Sequence, residues 1–263
     1  MYHMKGNVPP SALIRRRFQD SFSSYEQHAI VQKKVAHMLC ERVVSFAPPA
    51  PYIMEIGCGT GFLTRLLLNR CAPARLITND LVPEAQTYLP PHPAVYFIAG
   101  DAEKIDYPAP LDIVIGGGVL QWIRHPEHVF QKALKALRKG GLVAFSIFGP
   151  LTMIEVTVLT HCRLPFRSLS WYVHTLRKTG FLPLIAEECF YTLFFSSALE
   201  ALYHIKHTGT HAPGHGWKGS ICEIVATYEK TWKQGNTVPL TYQVFLLIGR
   251  KPSNGTDNRD YRD

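Results

Sequence analysis

The 263-residue sequence reads as an α/β protein in which a seven-stranded, mostly parallel sheet carries helices on both faces. Helices precede the sheet, and a helical cap is inserted before its last strand. Three observations lead there. Short apolar runs alternate with helical or turn segments from residue 52 to residue 149, which is the order of βα units in a parallel sheet. The runs are apolar at nearly every position rather than every second one, so both faces of each strand are buried. The stretch "YIMEIGCGTG" at 52–61 sets Gly57, Gly59 and Gly61 between the first run and the next helix.

Residues 11–46 read as helical. In "AIVQKKVAHMLCERVVSF", Val31, Val35, Leu39, Val43 and Phe46 recur at near-helical spacing, with Lys33, Lys34, Glu41 and Arg42 between them. "APPAP" at 47–51 ends the helix because proline cannot continue it. Strand one covers 52–56, and a helix from about 61 to 70 carries Phe62, Leu63, Leu66 and Leu67. "ARLITND" is strand two, and a short helix after it breaks at Pro90-Pro91. "AVYFIAGD" and "LDIVIGGG" are strands three and four. "PEHVFQKALKALRKG" is a helix turning Val129, Leu134 and Leu137 inward, and "GLVAFSIFG" is strand five.

Beyond residue 150 the pattern changes. Helices are expected at 152–162 and 168–179, a strand in "LIAEECFYTLFF", and a helix in "SALEALYHIKHTG" that stops at Gly209. "THAPGHGWKGS" is a loop, 220–234 another helix and "LTYQVFLLIGR" the closing strand. The helical material between the last two strands has no partner in the sheet and is expected to cap its ligand-binding end. The chain thus divides into an N-terminal helical segment (1–46) and a main domain (47–252) with its cap at about 195–235. A polar tail at 253–263 reads as disordered.

Composition narrows the function classes. Apolar residues make up 46% and charged residues 18%, an ordinary soluble composition. No run of about 18 uncharged apolar residues indicates a membrane span, and the N-terminus lacks a run of signal-peptide length. Cys40, Cys58, Cys71, Cys162, Cys189 and Cys222 are scattered without a CxxC pair, so they read as reduced thiols of a cytoplasmic protein and not as a metal site. The net charge of +8 is spread over several segments. Without an aromatic-interleaved basic stripe it argues for an acidic protein or small anion at least as well as for nucleic acid.

Glu55 ends strand one and the glycines turn the chain into a helix, at the sheet edge where open α/β folds bind ligands. A glycine there lets a ligand lie against main chain. The spacing is GxGxG, not the GxGxxG of dinucleotide sites. Together with Glu55 it resembles the E/DxGxGxG motif of Rossmann-like class I S-adenosylmethionine-dependent methyltransferases. Asp80 ends strand two, where a carboxylate can accept both ribose hydroxyls. Asp101 follows strand three in "GDAE", placed for an adenine amino group, with Ala102 beside the ring.

Three further stretches resemble one family, the biotin-pathway methyltransferases that form malonyl-acyl carrier protein methyl ester. They are "RRRFQDSFSSYEQHAIVQ" at 15–32, the "LQW" segment and strand five within 116–156, and "SALEALYHIKHTGTHAP" with "VPLTYQVF" in the cap and last strand. The resemblance covers roughly residues 12–250. It departs from the commoner pattern at "TND", in the Pro-rich segment after it, and in "GGG" at 116–118. The resemblance implies methylation of the free carboxyl of a malonyl thioester, carried by acidic acyl carrier protein or by coenzyme A. It also implies cofactor contacts from Glu55, Gly57, Gly59, Asp80, Asp101 and Ala102, with Tyr25 folding over the cofactor from the N-terminal helix. Gln121 and Trp122 follow strand four, where the acceptor pocket is expected. For the malonyl carboxylate the candidates are His204, Lys206 and Tyr242, with Arg15 to Arg17 and Arg124 as alternatives. His204 and His207 find no third ligand for a metal.

A carboxylate acceptor is already ionised at neutral pH and needs no general base, which agrees with the lack of a catalytic dyad near these motifs. A quinone precursor is the competing acceptor, and it would need a base. A binding module without catalysis would be signalled by a damaged glycine loop. A nucleic-acid methyltransferase would carry an Asn/Asp-Pro-Pro-aromatic run where this chain has "GGGVLQW".

Overall fold

A computed structural model of the chain describes residues 8–160, 166–208 and 220–253. Cys162, the expected loop around 210–219, the Gly209 helix stop and the tail after Ser253 lie outside them.

The N-terminal segment forms two helices, α1 (Ser11–His28) and α2 (Ile30–Val44), within the stretch 11–46 that reads as helical. Ala29 separates them with φ −76° and ψ 50°, outside the helical well. Neither glycine nor proline marks the break. Seven strands follow: β1 (Tyr52–Ile56), β2 (Arg75–Asp80), β3 (Val95–Ala99), β4 (Leu111–Gly117), β5 (Leu137–Phe148), β6 (Leu182–Phe195) and β7 (Val238–Arg250). They build one sheet in the order β3-β2-β1-β4-β5-β7-β6. The first five strands pair in parallel, and β7 runs antiparallel between β5 and β6.

Alternate residues of each central strand enter different cores, as strands covered on both sides must. Ile53, Ile113, Ile115 and Leu246 pack with Val31, Val35 and Leu39 of α2 and Leu67 of α3 (Phe62–Cys71). Met54, Val114, Phe145 and Leu247 pack on the other face with Val129 and Phe130 of α4 (Pro126–Ala136). Tyr172 and Leu176 of α6 (Leu169–Thr179) join that second core. A short α5 (Ile154–Thr160) lies between β5 and α6 in the chain.

α4 stops four residues before the expected end. Leu137 takes ψ 144° and pairs with Leu111, so "LRKG" opens β5 instead of closing the helix. Between β6 and β7 lie α7 (Ala198–His207) and α8 (Ile221–Trp232). Ser197 caps α7 through the Glu200 N–H, and Ser220 with Glu223 forms a full capping box on α8. α7 packs against α1: the Ser24 hydroxyl donates to the His207 carbonyl at 3.4 Å, and the His28 and His207 rings stack 4.6 Å apart. No helix among the described residues is long and apolar enough to cross a membrane.

Candidate active site

A cavity of about 810 Å³ opens at the carboxyl ends of β1, β2 and β4, roofed by α1 and α2. Its floor is the glycine turn. Gly57, Gly59 and Gly61 all have positive φ, at 69°, 52° and 76°, a region that L side chains adopt rarely. The turn is closed by main-chain bonds from the Gly57 and Cys58 N–H groups to the Asn79 carbonyl, 2.8 and 3.0 Å long. The two central glycines do different work. A Cβ on Gly57 would stand 2.6 Å from the Val119 Cγ2, whereas one on Gly59 would meet no protein atom within 4 Å. Gly57 is required for packing, and Gly59 leaves backbone open.

Asp80 belongs to this turn. Its Oδ2 accepts the Gly59 N–H at 2.8 Å and its Oδ1 accepts the Val82 N–H at 2.9 Å. Burial raises its carboxyl pKa, and those N–H groups pull the other way. Asn79 secures the neighbouring strand end by donating to the Ile98 and Gly100 carbonyls, both at 2.9 Å. Glu55 lies beneath the turn, 1% exposed. Its Oε2 accepts the Thr64 hydroxyl at 2.6 Å, while its Oε1 is buried with no partner. Burial pushes the Glu55 pKa up to about 7; the Thr64 bond opposes this and Asp80 adds to it.

Tyr25, Glu55, Gly57, Gly59, Asp80, Asp101, Ala102 and Trp122 all line the cavity. Asp101 binds the Glu103 N–H at 3.0 Å, and Ala102 is buried. Burial and the nearby Asp80 raise the Tyr25 hydroxyl to about 12, so it stays protonated at neutral pH. Trp122 meets Phe18 of α1 edge-on, 5.3 Å between ring centres, which joins the segment after β4 to the roof. Among the described residues no group of three or more His, Cys, Asp or Glu side chains is placed to hold a metal.

The methyltransferase domain family matches residues 54–145, which hold the turn, Asp80 and Asp101. The malonyl-[acyl-carrier protein] O-methyltransferase of Bacteroides thetaiotaomicron is 32% identical over 255 residues, spanning 91% of this chain and 97% of that relative. The chain belongs to the malonyl-[acyl-carrier protein] O-methyltransferase family. The Bacteroides fragilis relative of the same name is 33% identical over 94% of this chain, and the chain spans 53% of that longer protein. Among solved structures, an S-adenosylmethionine dependent methyltransferase from Mesorhizobium loti superposes with a TM-score of 0.52 at 15% identity. It covers 80% of this chain and 96% of that one, a likeness of fold.

In this member of the O-methyltransferase family, four of the five acceptor-side candidates stand outside the cavity lining. Gln121 is buried, donates to the Gly118 carbonyl at 2.7 Å and leaves its Oε1 unpartnered. His204 and Tyr242 are buried behind the wall, with His204 Nε2 and the Tyr242 hydroxyl 2.9 Å apart. Burial, with His28 and His207 nearby, lowers the His204 pKa to about 4, so its ring is neutral. Lys206 is exposed on α7. Of the arginine alternatives, Arg124 lines the cavity; Arg15 is 4.0 Å from Glu84. Sequence reasoning missed Gln32 and Lys33 of α2 and Ser146 and Phe148 of β5 as cavity-lining groups. Gln32 closes the stretch 15–32 that carries the family resemblance, but nothing local places it or the other three in the cavity, because they meet only when α2 crosses β5.

Proposed function

We propose that this chain is an S-adenosylmethionine-dependent O-methyltransferase that converts the free carboxylate of a malonyl thioester to its methyl ester, an early step towards biotin. The observation that carries the reading is the match across 97% of the Bacteroides thetaiotaomicron relative, cap and glycine turn included. The cavity supports it. Gly59 offers open main chain, Glu55 Oε1 is a buried acceptor without a donor, and Asp80 stands at the next strand end. These groups suit a nucleoside carrying an ammonium-bearing tail. Glu55, Gly57 and Gly59 would hold the tail, Asp80 the ribose, and Asp101 and Ala102 the adenine, with Tyr25 closing over them.

When bound, S-adenosylmethionine supplies an electrophilic methyl group on a sulfonium. The protein's contribution is alignment and dryness. Phe18, Phe22, Trp122 and Phe148 line the cavity with apolar surface, which would limit water around the reacting groups. The acceptor carboxylate is ionised without help, so no side chain has to remove a proton. Tyr25, with its hydroxyl raised to about 12, would be no base at neutral pH. Trp122 would border the acceptor, and Gln121, His204 and Tyr242 would shape its surroundings from behind. We assign the carrier as acidic acyl carrier protein, complementary to a chain of charge +8, and the setting as cytoplasmic.

The test offers the purified protein labelled donor with malonyl-acyl carrier protein and malonyl-coenzyme A in parallel. Label in a base-labile ester on either supports the reaction, and the ratio names the carrier. Donor binding without transfer to either would hand the function to another small acceptor such as a quinone precursor.

A further inference from the structure

Gln32 is a polar residue of the cavity wall that nothing within the described protein satisfies. Ala29, Gln32, Lys33 and Ala36 all line the cavity. Their spacing of i, i+3, i+4 and i+7 makes them one stripe along the start of α2. The adjoining stripe, Val31, Val35, Leu39 and Val43, belongs to the core, with Val35 and Ala36 shared between core and cavity. A stripe meant to pack against protein would be apolar throughout. Here it carries a glutamine whose Nε2 and Oε1 are both buried without a hydrogen-bond partner. Leaving a buried amide unpaired is unfavourable, and a ligand in the cavity can relieve it. Lys33 is placed differently: its Nζ lies 5.6 Å from the ring centre of Phe62, the residue that follows the glycine turn.

We propose that the Gln32 amide holds the acceptor carboxylate for methyl transfer, and that an uncharged donor stands there for an electrostatic reason. The proposal rests on the malonyl thioester reading above. In the transfer a carboxylate oxygen forms a bond to the methyl carbon as the carbon–sulfur bond breaks, and that electron pair stays on sulfur. No proton moves. An anion and a sulfonium become a neutral ester and a thioether, so charge disappears along the reaction. A cation paired with the carboxylate would stabilise the ground state more than the transition state and slow the step. An amide N–H fixes the oxygen's position through a weaker bond, and less is lost as the charge fades.

The experiment compares Gln32→Met, close in shape, and Gln32→Glu with the unmutated protein. Malonyl-acyl carrier protein is the acceptor, donor affinity is measured by calorimetry, and a thermal melt checks folding. Gln32→Met is expected to lose about 10- to 100-fold in kcat/KM for the acceptor, the loss of one hydrogen bond to a charged group. Donor affinity stays unchanged. Gln32→Glu is expected to fall further at about pH 8 and to recover as the pH is lowered, because a protonated carboxyl donates again. Loss of packing alone gives no such recovery. Unchanged acceptor kinetics in Gln32→Met, or weakened donor binding with acceptor kinetics intact, would overturn the assignment. An unmutated protein that binds donor yet methylates no malonyl thioester overturns the functional reading first, and this ligand for Gln32 with it.

Discussion

The Oδ2 of Asp80 accepts the main-chain N–H of Gly59 at 2.8 Å, so the carboxylate that ends β2 also sets the shape of the turn after β1. Asp80→Ala removes that bond and the one to Val82. The core does not depend on either. The expected outcome is a donor dissociation constant raised about 10- to 100-fold with a cooperative melt retained, since hydrogen bonds to a charged group are lost. Unchanged donor affinity by calorimetry would remove Asp80 from the binding site.

Gly57 and Gly59 differ in what an added side chain would meet. Gly57→Ala drives a Cβ to within 2.6 Å of Val119 in a positive-φ turn and is expected to cost stability, about 2 kcal/mol or more. Gly59→Ala meets open space, so its stability cost stays near the backbone strain of about 1 kcal/mol. Its methyl group would occupy the cavity, and donor affinity is expected to suffer more than the melt. Urea denaturation and donor titration on both variants check the contrast.

Glu55 gives stability a pH dependence with a definite sign. Its folded pKa is raised to about 7 from 4.5, so the native state holds the proton more tightly than the unfolded chain. Stability therefore falls as pH rises from 4.5 through 7, by up to roughly 3 kcal/mol, and the cost is complete above 7. Glu55→Gln should remove this component, read as the difference between urea melts of the two proteins across the window. A ligand ammonium beside Glu55 reverses the balance, so donor affinity is expected to climb through the same range.

His204 works in the opposite sense. Its folded pKa is lowered from 6.5 to about 4, so the unfolded chain takes the proton first. The stability it confers is present above 6.5 and is lost as pH falls towards 4. His204→Gln should flatten the acid limb of a stability–pH curve. Tyr242→Phe keeps the edge contact with Phe148 but strands the His204 nitrogen. It is expected to cost about 1–2 kcal/mol with donor affinity unchanged, because neither residue lines the cavity.

The sheet was legible because its central strands are apolar on both faces and end near chemically distinctive residues; the edge strands β3 and β6 leave one face partly exposed, with Tyr96 and Phe190 in the open. Glu55, Asp80 and Asp101 each close a run that periodicity alone delimits. The bend at Ala29 was not, because it carries no glycine or proline; α1 turns there to lie along α7 and the cavity. The end of α4 was misread because Leu134 and Leu137 keep helical spacing, while Leu137 is claimed by pairing with Leu111. The acceptor side was the least legible. His204 and Tyr242 were noticed for their chemistry, but only the fold shows that they bond to each other. Gln32 reaches the cavity wall by helix phase, and Phe148, over a hundred positions on, reaches it by strand register.

Ala29 divides the roof into two helices of unequal burial. α2 is rooted in the core by Val31, Val35, Leu39 and Val43, whereas α1 has only Ile14, Ser21 and Phe22 buried. α1 is held besides by contacts at its surface: Phe18 meets Trp122, His28 stacks on His207, and Glu26 pairs with Arg65. Hydrogen exchange is expected to show the amides of α1 opening before those of α2, at a cost well below that of unfolding. A chain bent at one residue thus sets a firmly packed helix and a lightly packed one over the same cavity.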